Sequence, residues 1–200
     1  MNCRALHAPA TVKTVAGLAL KPCPIAGMYR VKLNHVADDR GRFRKLFDAE
    51  AFTAVAPAFR VVQTNLSTTV GAGTVRGMHF QHAPAAEFKL VCCLRGRVHD
   101  VIVDLRESSC TWLRWHAVEL REDDDTQVLI PPGCAHGFQT LTERAELLYQ
   151  HSAIWNPTAE GGVRYDDPAL AIVWPLPVLR VSERDRCFPL IDAAFQGART

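Results

Sequence analysis

The chain has 200 residues, which is enough for one domain with a substantial core. A net charge of +2 excludes a global field directed at nucleic acid or anionic lipid, and no apolar run reaches the roughly 20 residues of a membrane span. We therefore expect neither a nucleic-acid nor a membrane partner. The seven cysteines include no CxxC pair and favour free thiols, which predicts a cytoplasmic location.

Residues 1–22 are predicted to form a loose N-terminal extension, followed by a single domain over residues 23–200. The extension contains Arg4, Lys13 and a short apolar run at 15–20, which resembles a signal peptide only weakly because no convincing cleavage site follows.

The rest of the chain is predicted to be all-β, with a few short helices. Helical patterns occur at 48–55, with Asp48 as N-cap, and at 192–196. The Arg-Gly-Arg segment at 95–97 is typical of a hairpin turn. Short β-branched or aromatic runs bounded by Gly, Pro or Asp predict a sandwich or barrel, with strands near 61–62, 75–80, 90–94, 98–105, 112–120, 127–130 and 145–151.

The predicted strand at 98–105 carries two charges within an apolar pattern. Asp100 and Asp104 alternate with Val101 and Val103. Their shared face either meets a polar ligand or is an ordinary solvated sheet face, and this stretch alone leaves both interpretations open.

Three histidines raise the question of a metal site. The Pro-x-Gly-x-x-His spacing at 131–136 is typical of metal-binding cupin barrels, in which the histidine is a ligand. Here His79 and His82 are three residues apart, so a regular strand would point them to opposite faces, although Glu87 could supply a carboxylate. We therefore expect no metal and interpret His82 as a surface histidine. A metal-dependent cupin oxygenase using His79, His82, Glu87 and His136 remains the alternative.

Four other side chains form a set suited to acid–base chemistry. His79 supplies an imidazole, Tyr149 ends an apolar strand, Lys89 follows ten residues after His79, and Asp185 lies near the C-terminus. A base, an acid, a cation and an orienting carboxylate suffice for proton transfer at a carbon beside a carbonyl. Taken singly, each residue also has an ordinary structural explanation.

A series of ordered motifs resembles the dTDP-4-dehydrorhamnose 3,5-epimerase family, from about residue 25 to residue 192. The matching segments are DRGxF at 39–43, QxNxS at 63–67, VRGMHFQ at 75–81, KLV at 89–91, GxVxDVxVDLR at 96–106, IPPGxAHGF at 130–138, ExxY at 146–149 and EGGxRYDDP at 160–168. The resemblance implies a homodimeric cupin jelly roll that epimerises C3 and/or C5 of a nucleotide-linked 4-keto-6-deoxyhexose in deoxysugar biosynthesis, with neither metal nor organic cofactor.

The resemblance also implies a role for each matching residue. His79 would be the base, Asp185 its partner, Lys89 the group that stabilises the enolate, and Tyr149 the acid on the opposite ring face. The residues expected to hold the diphosphate, nucleotide and sugar are Arg40, Gln63, Asn65, Arg76, His136 and Trp155. Arg76 and His79 would point to opposite faces of a regular strand. We therefore expect either a bulge at Gly77 or that Arg76 contributes to the site of a partner subunit.

Departures from the family pattern gather at the nucleotide end. Val36 replaces an aromatic residue, Lys45 a glutamate, Thr64 an aspartate and Ile154 one member of an aromatic pair. The proton-handling residues are all present. The alternatives are therefore an epimerase for another nucleotide sugar or for one carbon, or a cupin that binds a sugar nucleotide without turnover.

Overall fold

The computed structural model describes residues 11–200, which fold mainly as strands with two short helices in that range. The elements are β1 Lys13–Val15, β2 Leu18–Pro22, β3 Tyr29–Leu33, β4 His35–Asp38, β5 Gly41–Arg44, α1 Ala49–Thr53, β6 Gln63–Val70, β7 Val75–Gln81, β8 Lys89–Arg95, β9 Arg97–Asp104, β10 Trp115–Arg121, β11 Thr126–Ile130, β12 Cys134–Thr140, β13 Arg144–His151, β14 Glu160–Gly162 and α2 Glu183–Arg186.

Two antiparallel sheets face each other and make a jelly roll of the cupin type, which confirms the predicted fold class. One sheet has seven strands in the order β1-β2-β3-β11-β8-β13-β6, and the other has five in the order β10-β9-β12-β7-β14. β4 and β5 form a separate two-stranded hairpin. None of the helices within residues 11–200 is long and apolar enough to span a membrane.

The apolar core lies in three layers. Side chains such as Ile102, Phe138 and Leu147 fill the space between the two sheets. Phe52 of α1 and Leu20 pack on the outer face of the larger sheet. Residues after β14 cover the outer face of the smaller sheet, so both faces of that sheet are buried. This second coverage explains why apolar residues occupy both faces of β9.

The two aspartates of β9 are therefore fully buried, and the interpretation as a solvated sheet face is wrong. Asp100 Oδ1 lies 2.7 Å from His136 Nε2 between the sheets. Asp104 accepts hydrogen bonds from Arg106, Ser109 and Thr111, so its charge is balanced locally. Both charges are tolerated because each has a partner.

The N-terminal segment differs from the expected loose extension. β1 and β2 join the edge of the seven-stranded sheet, and Leu18 and Leu20 are fully buried. The predicted boundary between residues 22 and 23 therefore falls next to a strand that belongs to the sheet. Residues 1–10 of the predicted extension lie outside the described residues.

Three local predictions also differ. The turn at Gly96 joins β8 to β9, which lie in different sheets, so it is a crossover and not a hairpin. Residues 192–196 form no helix, because Asp192 caps a single turn by accepting from the Ala194 and Phe195 N–H groups. Residues 61–62 precede β6 and are not a strand. The helix at 48–55 is confirmed as α1, with Asp48 as N-cap.

All six cysteines within residues 11–200 are free thiols, as predicted, whereas Cys3 lies outside the described residues.

Candidate active site

A polar cavity of about 700 Å³ opens between the two sheets. β7 and β12 supply one wall, and β6, β8 and β13 supply the facing wall. Leu147 of β13 points into the apolar core, while Tyr149 and His151, two and four residues further on, line the cavity. The period-two alternation of one strand thus supplies both core and site.

His79 and Asp185 form a close pair at this cavity. His79 Nε2 lies 2.8 Å from Asp185 Oδ1, and the backbone N–H of Gly77 donates to Asp185 Oδ2 at 3.1 Å. If Nε2 carries the hydrogen and donates it to the carboxylate, the lone pair resides on Nδ1. The pair therefore fixes one tautomer of His79 and leaves Nδ1 as the basic atom.

Asp185 owes its position to α2. The Ser182 hydroxyl accepts from the Asp185 N–H and caps the helix, which holds the carboxylate 2% exposed beneath His79. Burial alone would raise the pKa of Asp185, but the hydrogen bond and charge of His79 and the Gly77 N–H outweigh it and lower that pKa to about 2. Asp185 is thus an anion across the neutral range.

Arg184 competes for the same histidine nitrogen. Its Nη2 lies 2.9 Å from His79 Nε2, and its Nη1 bridges both oxygens of Glu160 at 3.1 Å. Nε2 has either one hydrogen or one lone pair, so it bonds to Asp185 or to Arg184 but not to both. The Arg184 side chain is 53% exposed and is held by Glu160 and by Asp185, whose Oδ1 lies 3.3 Å from Arg184 Nε, whereas the Asp185 carboxylate is buried.

Gly77 resolves the spacing of Arg76 and His79. The pairing of β7 with β12 shifts register opposite Gly77, and Gly77 has φ +135°, so the bulge, one of the two expected alternatives, is present. Arg76 and His79 consequently line the same cavity of this chain. A Cβ on Gly77 would lie 2.5 Å from Gly137 Cα, a contact that only glycine avoids.

Tyr149 and Lys89 project from the sheet opposite His79. Burial raises the pKa of Tyr149, the negative charge of Asp100 raises it further, and Arg76 opposes both. The phenol therefore keeps its proton until a strong base takes it. Lys89 Nζ donates to the His79 carbonyl at 3.2 Å and lies 3.5 Å from Glu87 Oε1.

Most of the predicted substrate-binding residues also gather here. Asn65, Arg76, His136 and Trp155 line the cavity. Gln63 reaches it through two contacts, donating to Asn65 Oδ1 at 3.2 Å and accepting from the Trp155 N–H at 2.9 Å.

Arg40 differs from this group. It lies outside the cavity formed by residues 11–200, at the tip of the β4–β5 hairpin, with its side chain 86% exposed and paired with Asp38.

Sequence reasoning did not identify every residue that lines the cavity, and it gave one of them a different role. His151 and Arg184 were not predicted as site residues, and Glu87 was considered only as a metal ligand. His151 Nδ1 lies 2.9 Å from Glu87 Oε2, and its ring stacks on that of Tyr149 at 5.9 Å between centroids. The position of His151 two residues after Tyr149 on one strand was the available signal.

The geometry also bears on the alternative of a metal site. His82 Nδ1 accepts from the Arg199 N–H, and the His82 ring packs on Phe80 outside the cavity. Glu87 is occupied by His151 and Lys89. Within residues 11–200, no group of three His, Cys, Asp or Glu side chains could hold a metal ion.

Comparison with known proteins defines the class of this jelly roll. Residues 22–193 match the family model described as dTDP-4-dehydrorhamnose 3,5-epimerase. A protein of that description from Sinorhizobium fredii is 37% identical over 82% of this chain and 85% of its own length. A dTDP-4-dehydrorhamnose 3-epimerase from Streptomyces niveus is 37% identical over 84% of this chain and 82% of its own.

A solved structure agrees with the sequence comparison. A dTDP-6-deoxy-D-glucose-3,5-epimerase from Legionella pneumophila, in complex with dTDP-4-keto-L-rhamnose, superimposes with a TM-score of 0.84. It is 33% identical and covers 92% of this chain and 98% of its own. The protein is thus of the carbohydrate epimerase class, an isomerase. The chain belongs to the dTDP-4-dehydrorhamnose 3,5-epimerase family.

Asp185 generates a prediction on stability against pH. Because its folded pKa is lowered to about 2, its contribution is fully present above the unfolded pKa of roughly 3.9 and is lost as pH falls toward 2. Replacing Asp185 by Asn should remove about 2 kcal/mol of that pH-dependent stability. Chemical denaturation of both proteins at pH 6 and pH 2.5 measures it. If the free energy of unfolding changes equally with pH in the wild type and in Asp185→Asn, the contact between Asp185 and His79 contributes nothing to the pH dependence.

Proposed function

We propose that this protein epimerises a nucleotide-linked 4-keto-6-deoxyhexose at C3, C5 or both, as an enzyme of deoxysugar biosynthesis. The observation that carries the proposal is the opposition of a paired base and a protonated phenol across one cavity, with His79 on β7 and Tyr149 on β13 of the facing sheet. The nucleotide-sugar complex of the Legionella relative supports it, as do the 3,5-epimerase from Sinorhizobium fredii and the 3-epimerase from Streptomyces niveus.

The proposed reaction begins at a carbon beside the C4 ketone. His79 Nδ1 removes the proton, and the electrons of the broken C–H bond move into the carbonyl to give an enolate. Lys89 stabilises the enolate oxygen through its charge. Tyr149 then donates its hydroxyl proton to the opposite face of the same carbon, which inverts the centre. Solvent afterwards reprotonates Tyr149 and takes the proton from His79. Asp185 stays ionised and holds the His79 ring.

The binding end is proposed to recognise the nucleotide and diphosphate. Arg76 supplies a guanidinium, whose fork matches phosphate oxygens, and Asn65, Gln63 and Trp155 lie together at the same mouth. His136 is held by Asp100 and packs edge-on to Tyr149 at 5.8 Å between ring centroids, so we assign it to the sugar end.

A homodimer accounts for the position of Arg40. The β4–β5 hairpin carries two exposed apolar residues, Val36 and Phe43, at 73% and 79% exposure. Pairing of two copies through these hairpins would cover the apolar surface and bring Arg40 to a partner's cavity. A cytoplasmic location accords with the free thiols.

The dimer prediction concerns this hairpin. Phe43→Asp places a charge in the proposed interface, so it should give a monomer by light scattering and raise KM through loss of Arg40 from the partner's site. Arg42→Asp, which alters charge on the same strand without removing apolar surface, is the control. A wild-type monomer, or a Phe43→Asp dimer, would contradict the arrangement.

The metal prediction separates epimerase from cupin oxygenase. We expect turnover to survive exhaustive chelation, because His79 and His136 direct their Nε2 atoms to Asp185 and Asp100. Metal analysis of the purified protein and assays with and without chelator check this. Stoichiometric iron, zinc or manganese, with activity lost on its removal, would favour the oxygenase.

The nucleotide prediction concerns the substituted positions. Val36, Lys45 and Ile154 replace groups that the family pattern places at the nucleotide end, so we expect weaker discrimination between dTDP and UDP, CDP or GDP than in typical family members. Calorimetric titration of the four diphosphates measures it. Binding of dTDP far more tightly than the other three would show that these substitutions are neutral.

The mechanistic prediction divides the reaction in two. His79→Asn should abolish both solvent exchange and inversion, with a loss of at least about 10² to 10⁴ in rate. Tyr149→Phe keeps the ring but removes the donated proton, so it should exchange the substrate proton with retention while inverted product falls sharply. Proton NMR at C3 and C5 in deuterium oxide follows both variants. Exchange by His79→Asn, or inversion by Tyr149→Phe at the wild-type rate, would refute the assignments.

A further inference from the structure

A continuous chain of polar contacts links the nucleotide end of the cavity to Lys89. The Trp155 N–H donates to Gln63 Oε1 at 2.9 Å, and Gln63 Nε2 donates to Asn65 Oδ1 at 3.2 Å. Asn65 Nδ2 then lies 3.4 Å from His151 Nε2, and His151 Nδ1 lies 2.9 Å from Glu87 Oε2. The chain ends at Lys89 Nζ, 3.5 Å from Glu87 Oε1.

The hydrogen bonds from Trp155 to Glu87 can all form only if each group donates in the direction of Glu87. An amide nitrogen can only donate, so His151 Nε2 must accept from Asn65. Nδ1 therefore carries the hydrogen and donates it to Glu87. A neutral His151 with this tautomer is the one state that satisfies Asn65 and Glu87 together.

The charges at the far end are buried and balanced. Glu87 and Lys89 are each 8% exposed and His151 is 9% exposed. The Glu87 carboxylate and the Lys89 ammonium together carry no net charge. The pairing of β13 with β8 places His151 directly opposite Lys89. Removing the Glu87 charge would leave the Lys89 ammonium without its carboxylate partner, a costly state at such burial.

We propose that Glu87 and His151 are positioning residues that couple nucleotide binding to the placement of Lys89. His151 fixes the Asn65 amide, and through it Gln63, for the nucleotide, while Glu87 fixes the ammonium that stabilises the enolate. The inference rests on the proposed function. It adds two residues that the acid–base mechanism does not use. It also implies that a change at Glu87 alters the position of the Asn65 amide, although the two side chains are linked only through His151.

The first test measures dTDP affinity by calorimetry, which does not depend on turnover. His151→Phe keeps a planar ring against Tyr149 but removes both nitrogens, so dTDP should bind about fivefold or more weakly. His151→Gln offers an oxygen to Asn65 and should recover part of that loss. His99→Phe is the matched control: His99 lies outside the cavity, its ring packs on Trp174, and its Nε2 has no partner among the described residues. Its affinity should be unchanged.

The second test asks whether the two ends are coupled. In the wild-type background, Asn65→Ala and Glu87→Gln should weaken dTDP binding non-additively, with the double variant little worse than either single one. In the His151→Phe background, Glu87→Gln should have no further effect on dTDP affinity. It should still lower kcat at saturating substrate, because Lys89 has lost its partner.

The outcomes separate the two proposals. Wild-type dTDP affinity in His151→Phe and Glu87→Gln, or additive effects of Asn65→Ala and Glu87→Gln, would overturn the coupling alone and leave the epimerase intact. If the wild-type protein neither binds dTDP nor turns over any nucleotide-linked 4-keto sugar, the proposed function fails and the coupling fails with it. The unfolding midpoint of every variant identifies any that fails to fold, and the variants that do fold are used to test the coupling.

Discussion

The buried contact between Asp185 and His79 is the interaction on which the rest of the site depends. Asp185 is 2% exposed, and its charge is balanced by the His79 ring, the Gly77 N–H and Arg184 Nε, which lies 3.3 Å from Oδ1. The first two partners lie on β7, and the bulge at Gly77 puts that N–H and the His79 ring within reach of one carboxylate. The same bulge turns Arg76 into the cavity, so a single irregularity in one strand brings the proposed base, its carboxylate partner and a cation together.

The architecture then supplies the second half of the chemistry. A jelly roll places two sheets face to face, and side chains of β7 and β13 meet across its interior. In the proposed reaction, a substrate ring held between them would present one face to His79 and the other to Tyr149, which is the requirement for inversion at carbon. This arrangement buries polar side chains, which is unfavourable unless they have partners. The buried carboxylates are paired: Asp100 with His136, Asp185 with His79, and Glu87 with Lys89 and His151.

The sequence predicted the fold class and a set of residues most of which line one cavity, because strand alternation and ordered motifs are local signals. It also offered the bulge as one of two alternatives, since Arg76 and His79 are three residues apart and were both expected to bind or act on the substrate. Other features depend on tertiary pairing. The sheet into which β1 and β2 fold, the crossover at Gly96 and the burial of Asp100 are decided by which strands meet. The pairing of His151 with Glu87 could not be predicted, because the contact spans 64 positions of the chain and no spacing encodes such a pair.

The central claim is that inversion proceeds through loss of a proton from carbon to the protein and return of another from the opposite face. The most direct measurement uses the wild-type enzyme and a dTDP-linked 4-keto-6-deoxyhexose in deuterium oxide, with the products analysed by NMR and mass spectrometry. The account predicts one solvent deuterium at each inverted carbon and none at carbons that keep their configuration after a single turnover. Inverted product that retains the original hydrogen at the inverted carbon would contradict it.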